Sequence, residues 1–270
     1  MVEMRVSKGQ RVKGSKKNNN FLKFLGTAGA RFVMIEQLRA SGGIWVSCNG
    51  TNVLIDPGPG SIVHCAKSRP RLNPTKLDGI ILTHRHLDHV NDVNVMIEAM
   101  TEGGFKKRGV VFCPDDAVND DSVILRHAMG LPEKIEILKA KNKYRVGEFE
   151  FTTSMRHIHP AETYGLKFKL NKTSIGLLTD TKYFKGLKSF YKGLDVLIIC
   201  VVFYEPRPGI DHLCLPEAEQ IIREAKPKQA VLTHFGMTML RAKPHIQAEA
   251  LSGKLKSRVL AAYDGMRLEF

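Results

Sequence analysis

Acidic side chains are in short supply in this 270-residue chain, with 27 Asp and Glu against 41 Lys and Arg and a formal net charge of +14. That imbalance disfavours cationic partners and favours anionic ones, nucleic acid or phosphorylated small molecules, through long-range attraction. A contribution to solubility would explain the charge equally well. Cysteine is also scarce. Cys48, Cys65, Cys113, Cys200 and Cys214 are odd in number and form no C-x-x-C pair. This excludes a disulfide framework and a cysteine-based zinc knuckle, and leaves buried, reduced thiols as the expectation. No uncharged apolar run approaches the roughly 18 residues needed to span a bilayer, and the N-terminus lacks the apolar core of a secretory signal. The expectation is a soluble, cytoplasmic chain with no membrane partner.

What the chain does have is ordinary globular content, 43% hydrophobic and 25% charged residues, in a length that suits one large domain or two small ones. Arg5, Lys8, Arg11, Lys13, Lys16 and Lys17 face only Glu3, in a polar, aperiodic segment closed by Asn18-Asn19-Asn20. Residues 1–20 are therefore expected to be a disordered basic tail, and residues 21–270 the folded domain. Without the tail the chain still carries +9.

Short apolar runs rich in β-branched residues recur along the domain, separated by turns or helical stretches. The spacing predicts strands at Phe21–Leu25, Ile44–Val46, Asn52–Ile55, Gly79–Leu82, Gly109–Cys113, Tyr144–Phe151, Leu166–Leu170, Ser174–Leu178, Asp195–Val202 and Gln229–Leu232. Asn49-Gly50 reads as a hairpin turn. Helices are expected at Val93–Met100 and at Pro216–Ala225, the latter opened by its proline. Polar residues stand just past four of the strands: VLI-Asp56, IILT-His84, GLLT-Asp180 and VLT-His234. A buried strand supplies rigidity and the loop after it presents a side chain at a shared edge, so these four endings suggest one composite site.

The densest of them reads LTHRHLDHV, Leu82 to Val90. His84 and His86 are two apart, so in an extended segment both can reach one metal ion. Asp88 and His89 follow where the chain enters a helix and can aim at a second ion. Imidazole nitrogen and carboxylate oxygen are ordinary zinc ligands. Capping or surface histidines are the structural alternative, which the clustering disfavours.

His84-Arg85-His86-Leu87-Asp88-His89 resembles the signature of the metallo-β-lactamase superfamily. The resemblance runs on through Asp56 in LIDPGPG, His159 in HPAETYG, Asp180 in LLTDT and His234 in LTHFG. It implies an α/β (α+β) fold, the four-layer αββα sandwich, over residues 21–270. It also implies a two-metal hydrolytic centre: His84, His86 and His159 hold one divalent ion, Asp88, His89 and His234 hold the other, and Asp180 bridges them. Asp56 supports a ligating histidine from behind. Zinc is the first expectation for the two ions, with manganese or iron as alternatives.

Within the superfamily, HPAETYG and Asp211-His212 resemble tRNase Z, and Ala262-Tyr263-Asp264-Gly265-Met266 resembles the end of the cyclic-phosphate phosphodiesterase of the phosphonate pathway. These likenesses imply a phosphodiesterase or ribonuclease that uses a metal-bridging hydroxide, with Asp88 and His212 as candidate catalytic residues. His212 would protonate a departing alkoxide, a step that general acids accelerate by roughly 10²–10⁴-fold. The implied partner is an anionic phosphodiester, RNA among the candidates, and a homodimer is the implied assembly. The sequence departs from tRNase Z at Leu87, where glycine is common, and in the 21-residue step from His159 to Asp180, too short for a tRNA-gripping arm. It departs from the cyclic phosphodiesterase in lacking cysteine between Gly26 and Ser47. Two competing functions are a thioester or lactone hydrolase on the same metals, and a nucleic-acid-binding protein with a vestigial metal site. His157 is expected to be structural or to support its neighbours; His64, His127 and His245 are expected at the surface or in packing.

Overall fold

The structure, a computed structural model, describes residues 20–119 and 121–270. Fourteen strands are described: β1 (Phe21–Phe24), β2 (Ile44–Cys48), β3 (Thr51–Ile55), β4 (Gly79–Ile81), β5 (Val110–Cys113), β6 (Lys134–Ile137), β7 (Lys143–Val146), β8 (Phe149–Arg156), β9 (Tyr164–Leu170), β10 (Thr173–Leu178), β11 (Val196–Cys200), β12 (Gln229–Thr233), β13 (Arg258–Ala261) and β14 (Arg267–Glu269). The helices are α1 (Ala30–Ile35), α2 (Ser61–Lys67), α3 (Leu87–Val90), α4 (Val93–Met100), α5 (Leu187–Tyr191), α6 (Leu215–Ala225), α7 (Met237–Arg241) and α8 (Pro244–Lys254).

The strands form two seven-stranded sheets, in the orders β14-β1-β2-β3-β4-β5-β6 and β13-β12-β11-β10-β9-β8-β7. Each sheet has three antiparallel pairings followed by three parallel ones, counted from β14 in the first sheet and from β7 in the second. The parallel interiors are continuous apolar runs, GII in β4, VLIIC in β11 and QAVLT in β12, because strands covered on both faces have no solvent side to mark.

Three apolar clusters hold the layers together. Leu22, Phe24 and Val46 of the first sheet meet Phe149, Phe151, Leu166 and Val231 of the second, forming the core between the sheets. Val93, Met96, Ile97 and Met100 of α4 pack on the outer face of the first sheet with Leu54 and Ile80. Ala218, Ile221 and Ile222 of α6, with Met239 and Leu251, pack on the outer face of the second. Two sheets with helices on both outer faces make the expected αββα sandwich.

Local signals account for several boundaries. Asn49 and Gly50 have φ of 49° and 91°, and Cys48 pairs Thr51 across them, so the hairpin turn has the two left-handed residues that such a loop demands. In α6, Glu217 accepts from the Cys214 N–H at 2.9 Å, closing a capping box one residue earlier than the proline implied.

The run Tyr144–Phe151 is two strands rather than one. Gly147, at φ 52°, turns β7 back on β8 so that Val146 faces Phe149. Edge strands β6, β13 and β14 and the shorter helices were not anticipated. The expected tail lies outside the described residues, apart from Asn20. That side chain is buried and donates to Asn49 and Asn171, so it belongs with the body of the fold. All five cysteines are free and buried. No helix among the described residues is long and apolar enough to cross a membrane.

Candidate metal centre

The polar endings converge at one edge of the sandwich. From the first sheet come Asp56 after β3, His84 beyond β4, His86, and Asp88 with His89 in α3. From the second come His157 and His159 after β8, Asp180 after β10, His212 beyond β11 and His234 after β12. Donor atoms of His84, His86 and His159 lie within 4.8 Å of one another, as do those of Asp88, His89, Asp180 and His234, and those of His159, Asp180 and His212.

Asp180 sits at the middle. Its Oδ2 is 3.7 Å from His84 Nε2, 3.4 Å from His89 Nε2, 3.3 Å from His234 Nε2 and 3.5 Å from His212 Nδ1. Asp88 Oδ2 approaches His89 Nε2 at 3.6 Å and His234 Nε2 at 3.4 Å.

A layer of hydrogen bonds behind these atoms fixes which ring nitrogen points inward. Asp56 accepts from the Thr83 N–H and hydroxyl, both at 2.7 Å, and from His89 Nδ1 at 3.0 Å. The Thr83 hydroxyl oxygen in turn takes His84 Nδ1 at 3.1 Å, and the Asp211 carbonyl takes His159 Nδ1 at 2.9 Å. With Nδ1 committed as donor in all three rings, Nε2 is the nitrogen turned to the centre and offers a lone pair whenever the ring is neutral. Buried His157 lies behind Asp180, with Nδ1 3.1 Å from its carbonyl oxygen and Nε2 3.4 Å from the Tyr191 hydroxyl.

Several buried atoms facing the centre have no hydrogen-bond partner: Nε2 of His84, His89 and His234, Oδ1 of Asp180 and Nδ1 of His212. Buried polar atoms in folded proteins are almost always satisfied, so the four exceptions on His84, His89, His234 and Asp180 call for a shared cationic partner. The protonation states of His84, His86 and Asp180 agree with such a partner. Burial, reinforced by neighbouring imidazoles, pushes His84 well down and His86 down to about 4, so both are neutral donors at pH 7. Burial would raise the Asp180 carboxyl, but His234 and His212 outweigh it and hold the group well below the carboxylate range. Burial would likewise lower His89 and His212; the carboxylates of Asp88 and Asp56 in one case and Asp180 in the other pull both upward instead.

Backbone geometry is spent here too. Asp56 and His234 adopt left-handed φ of 53° and 61°, uncommon for residues with a Cβ and concentrated where function demands them. Gly58 lets the Asp56 loop lie against α3; a Cβ there would sit 2.0 Å from the Asp88 carbonyl oxygen. Beside His86 opens a groove of about 350 Å³, lined by Arg85, Leu87, Asp121, Val123, Pro160 and Ala161.

Thr83 was missed in the sequence, although a signal existed: Leu-Thr precedes His84, Asp180 and His234 alike. Thr83 and Thr179 meet at 3.2 Å, while Thr179 and Thr233 line a cavity of about 40 Å³ under His89 and His234. Away from the centre, His127 lies 3.6 Å from Glu98 at the surface, His245 is exposed on α8, and His64 lies half-buried on α2.

Fold and site together define a class, and comparison with known proteins agrees. The chain belongs to the family described as the beta-lactamase superfamily domain, whose pattern matches residues 51–235. It is 28% identical over 254 residues to an uncharacterised protein of Methanocaldococcus jannaschii, covering 91% of this chain and 93% of that one. It is 23% identical to ribonuclease Z of Borreliella afzelii over 313 aligned positions, covering 92% and 96%. Among solved structures, the metallo-beta-lactamase fold protein YhfI of Bacillus subtilis superposes with a TM-score of 0.74 at 20% identity, over 93% of this chain and 100% of that one. A diphosphatase from the PhnP family superposes at 0.68 and 22% identity, over 93% and 97%.

Proposed function

We propose that the chain is a metal-dependent hydrolase of phosphodiesters with a two-cation centre. The observation that carries this reading is the convergence of buried, unpartnered atoms of His84, His89, His234 and Asp180 on one space at the sheet edge. His84, His86 and His159 would hold one divalent ion, Asp88, His89 and His234 the other, with Asp180 between them. A donor set of nitrogen and oxygen without sulfur suits zinc, and also manganese or iron. When bound, such ions supply Lewis acidity and lower the pKa of water to the neutral range.

The remaining work falls to the chain. Asp56, Thr83 and Asp211 lock the imidazole tautomers, so the ligands need no reorganisation. His212, its pKa drawn upward by Asp180 at 3.5 Å against the effect of burial, has Nε2 left to give a proton to the departing oxygen. That supports a diester with an alkoxide leaving group over a thioester, whose thiolate leaves without help. The ribonuclease Z relative makes RNA one candidate substrate, beside small phosphodiesters.

Zinc- or manganese-loaded protein should hydrolyse bis-p-nitrophenyl phosphate, lose that activity to a chelator and regain it on reloading. No turnover with either cation, alongside retained thioester cleavage, would overturn the assignment.

A further inference from the structure

The segment Ala262-Tyr263-Asp264-Gly265-Met266 has no place in the chemistry above. It follows β13 and feeds β14 back to the first sheet. Gly265, at φ 83°, turns the chain while its N–H donates to the Phe24 carbonyl at 2.8 Å, and the Met266 N–H closes the turn on the Tyr263 carbonyl at 2.9 Å. The turn aims the Asp264 carboxylate at the loop after β1. Its Oδ1 accepts from the Thr27 N–H at 2.9 Å and the Thr27 hydroxyl at 2.7 Å, and its Oδ2 from the Ala40 N–H at 2.7 Å. These are charge-assisted bonds, and Thr27 is wholly buried.

The loop so gripped lies on His234. The Thr27 carbonyl accepts the Phe235 N–H at 2.9 Å, and the Gly29 N–H donates to the Phe235 carbonyl at 3.0 Å. Gly29 presses so closely that a Cβ there would lie 2.2 Å from the His234 carbonyl oxygen and 2.7 Å from its ring. His234 holds a left-handed φ of 61°, which a side chain does not adopt unless its surroundings enforce it. The restraints on His84 and His159, by contrast, come from Thr83 and Asp211, outside this loop.

We propose that Asp264 is a positioning residue for His234: acting through Thr27, it clamps the loop that fixes His234 and so shapes the cation site built from Asp88, His89, Asp180 and His234. The proposal rests on the two-cation reading, and its effect is one-sided. Loosening the clamp should disturb that site and spare the one formed by His84, His86 and His159.

The test is stepwise zinc binding to metal-free protein against a competing chelator, for wild type, Asp264→Asn and Leu268→Ala. Leu268 is buried in β14, and its truncation weakens the same C-terminal segment without touching the clamp. Loss of a residue supporting a metal ligand weakens binding by roughly 10–100-fold, so one binding step of Asp264→Asn should weaken at least about tenfold. The other step should stay near wild type, as should both steps of Leu268→Ala. In metal-free protein the His234 side-chain nitrogen resonances should move in Asp264→Asn while those of His84 and His159 hold. Equal weakening of both steps, the same selective loss in Leu268→Ala, or an unmoved His234 signal would each overturn the clamp. Should wild type take up fewer than two ions, the two-cation reading fails by itself, and the metal-free resonances still decide whether Asp264 positions His234.

Discussion

Replacing Asp56 with Asn changes one oxygen to an NH₂ group and leaves the shape intact, and Asn tolerates the left-handed φ of 53° found there. The Thr83 N–H can keep its acceptor on the amide oxygen. Thr83 Oγ1 can receive the new NH₂ and turn its own hydrogen to Thr179, 3.2 Å away. His89 has no such escape. Its Nδ1, 3.0 Å from the altered atom, now meets a donor, so the ring must give up its Nδ1 hydrogen and carry one on Nε2. That nitrogen is the one facing Asp88 and Asp180. A hydrogen bond to a charged group contributes about 1.5–3 kcal/mol. Lost from the ligating tautomer, that energy corresponds to roughly 10–100-fold weaker binding of one cation, the range typical for residues behind metal ligands. Chelator-competition titration of Asp56→Asn should therefore show one weakened step, and histidine NMR of the metal-free protein, recorded at a pH where the His89 ring is neutral, should show it in the opposite tautomer. Wild-type affinity at both steps, with the tautomer switched, would refute the chain of reasoning from Asp56 to His89 to the cation.

Three further outcomes are expected. His212→Ala should slow cleavage of a diester with an alkyl leaving group by roughly 10²–10⁴-fold while changing p-nitrophenyl diesters little, since p-nitrophenolate needs no proton; equal losses on both would remove the proton-donor role. Burial, aided by Asp92 and by Asp115, pushes the thiols of Cys65 and Cys113 up to about 12, so neither should react with a thiol reagent at pH 8 until the protein is unfolded. The Lys228 ammonium at 2.7 Å, with Ser174, pulls Asp195 down to about 2. Its contribution to stability is thus complete above the unfolded value near 4 and lost as pH falls toward 2. The urea midpoints of wild type and Asp195→Asn should accordingly differ at pH 5 and converge between about pH 4 and 2.

The centre was legible because its parts sit in short, ordered words at strand ends. His84 to His89 announces itself, and Asp56, Asp180 and His234 each terminate an apolar run. What could not be read were contacts made by backbone or across great sequence distance. The Asp211 carbonyl that holds His159 has no residue-type signature at all. Asp264 and Thr27 are 237 residues apart, and no local pattern links them. No sequence signal marks Tyr191, yet its hydroxyl lies 3.4 Å from His157 Nε2 behind the centre. Among the strands, β13 (RVLA) and β14 (RLE) were too short and too charged to stand out; partners in the sheet, not intrinsic preference, make them strands. Tyr144–Phe151 read as one run because apolar residues continue past Gly147, and only its positive φ marks the reversal.

The two sheets repeat one another's sequence of antiparallel and parallel joins, and each supplies about half of the proposed ligand side chains. Neither owns a complete set. A cation seated between them would therefore work as a rivet across the seam, and withdrawing it should let the halves breathe against each other before either one melts. Hydrogen exchange in β4 and β12, measured with and without bound ion, would register that coupling far from any substrate.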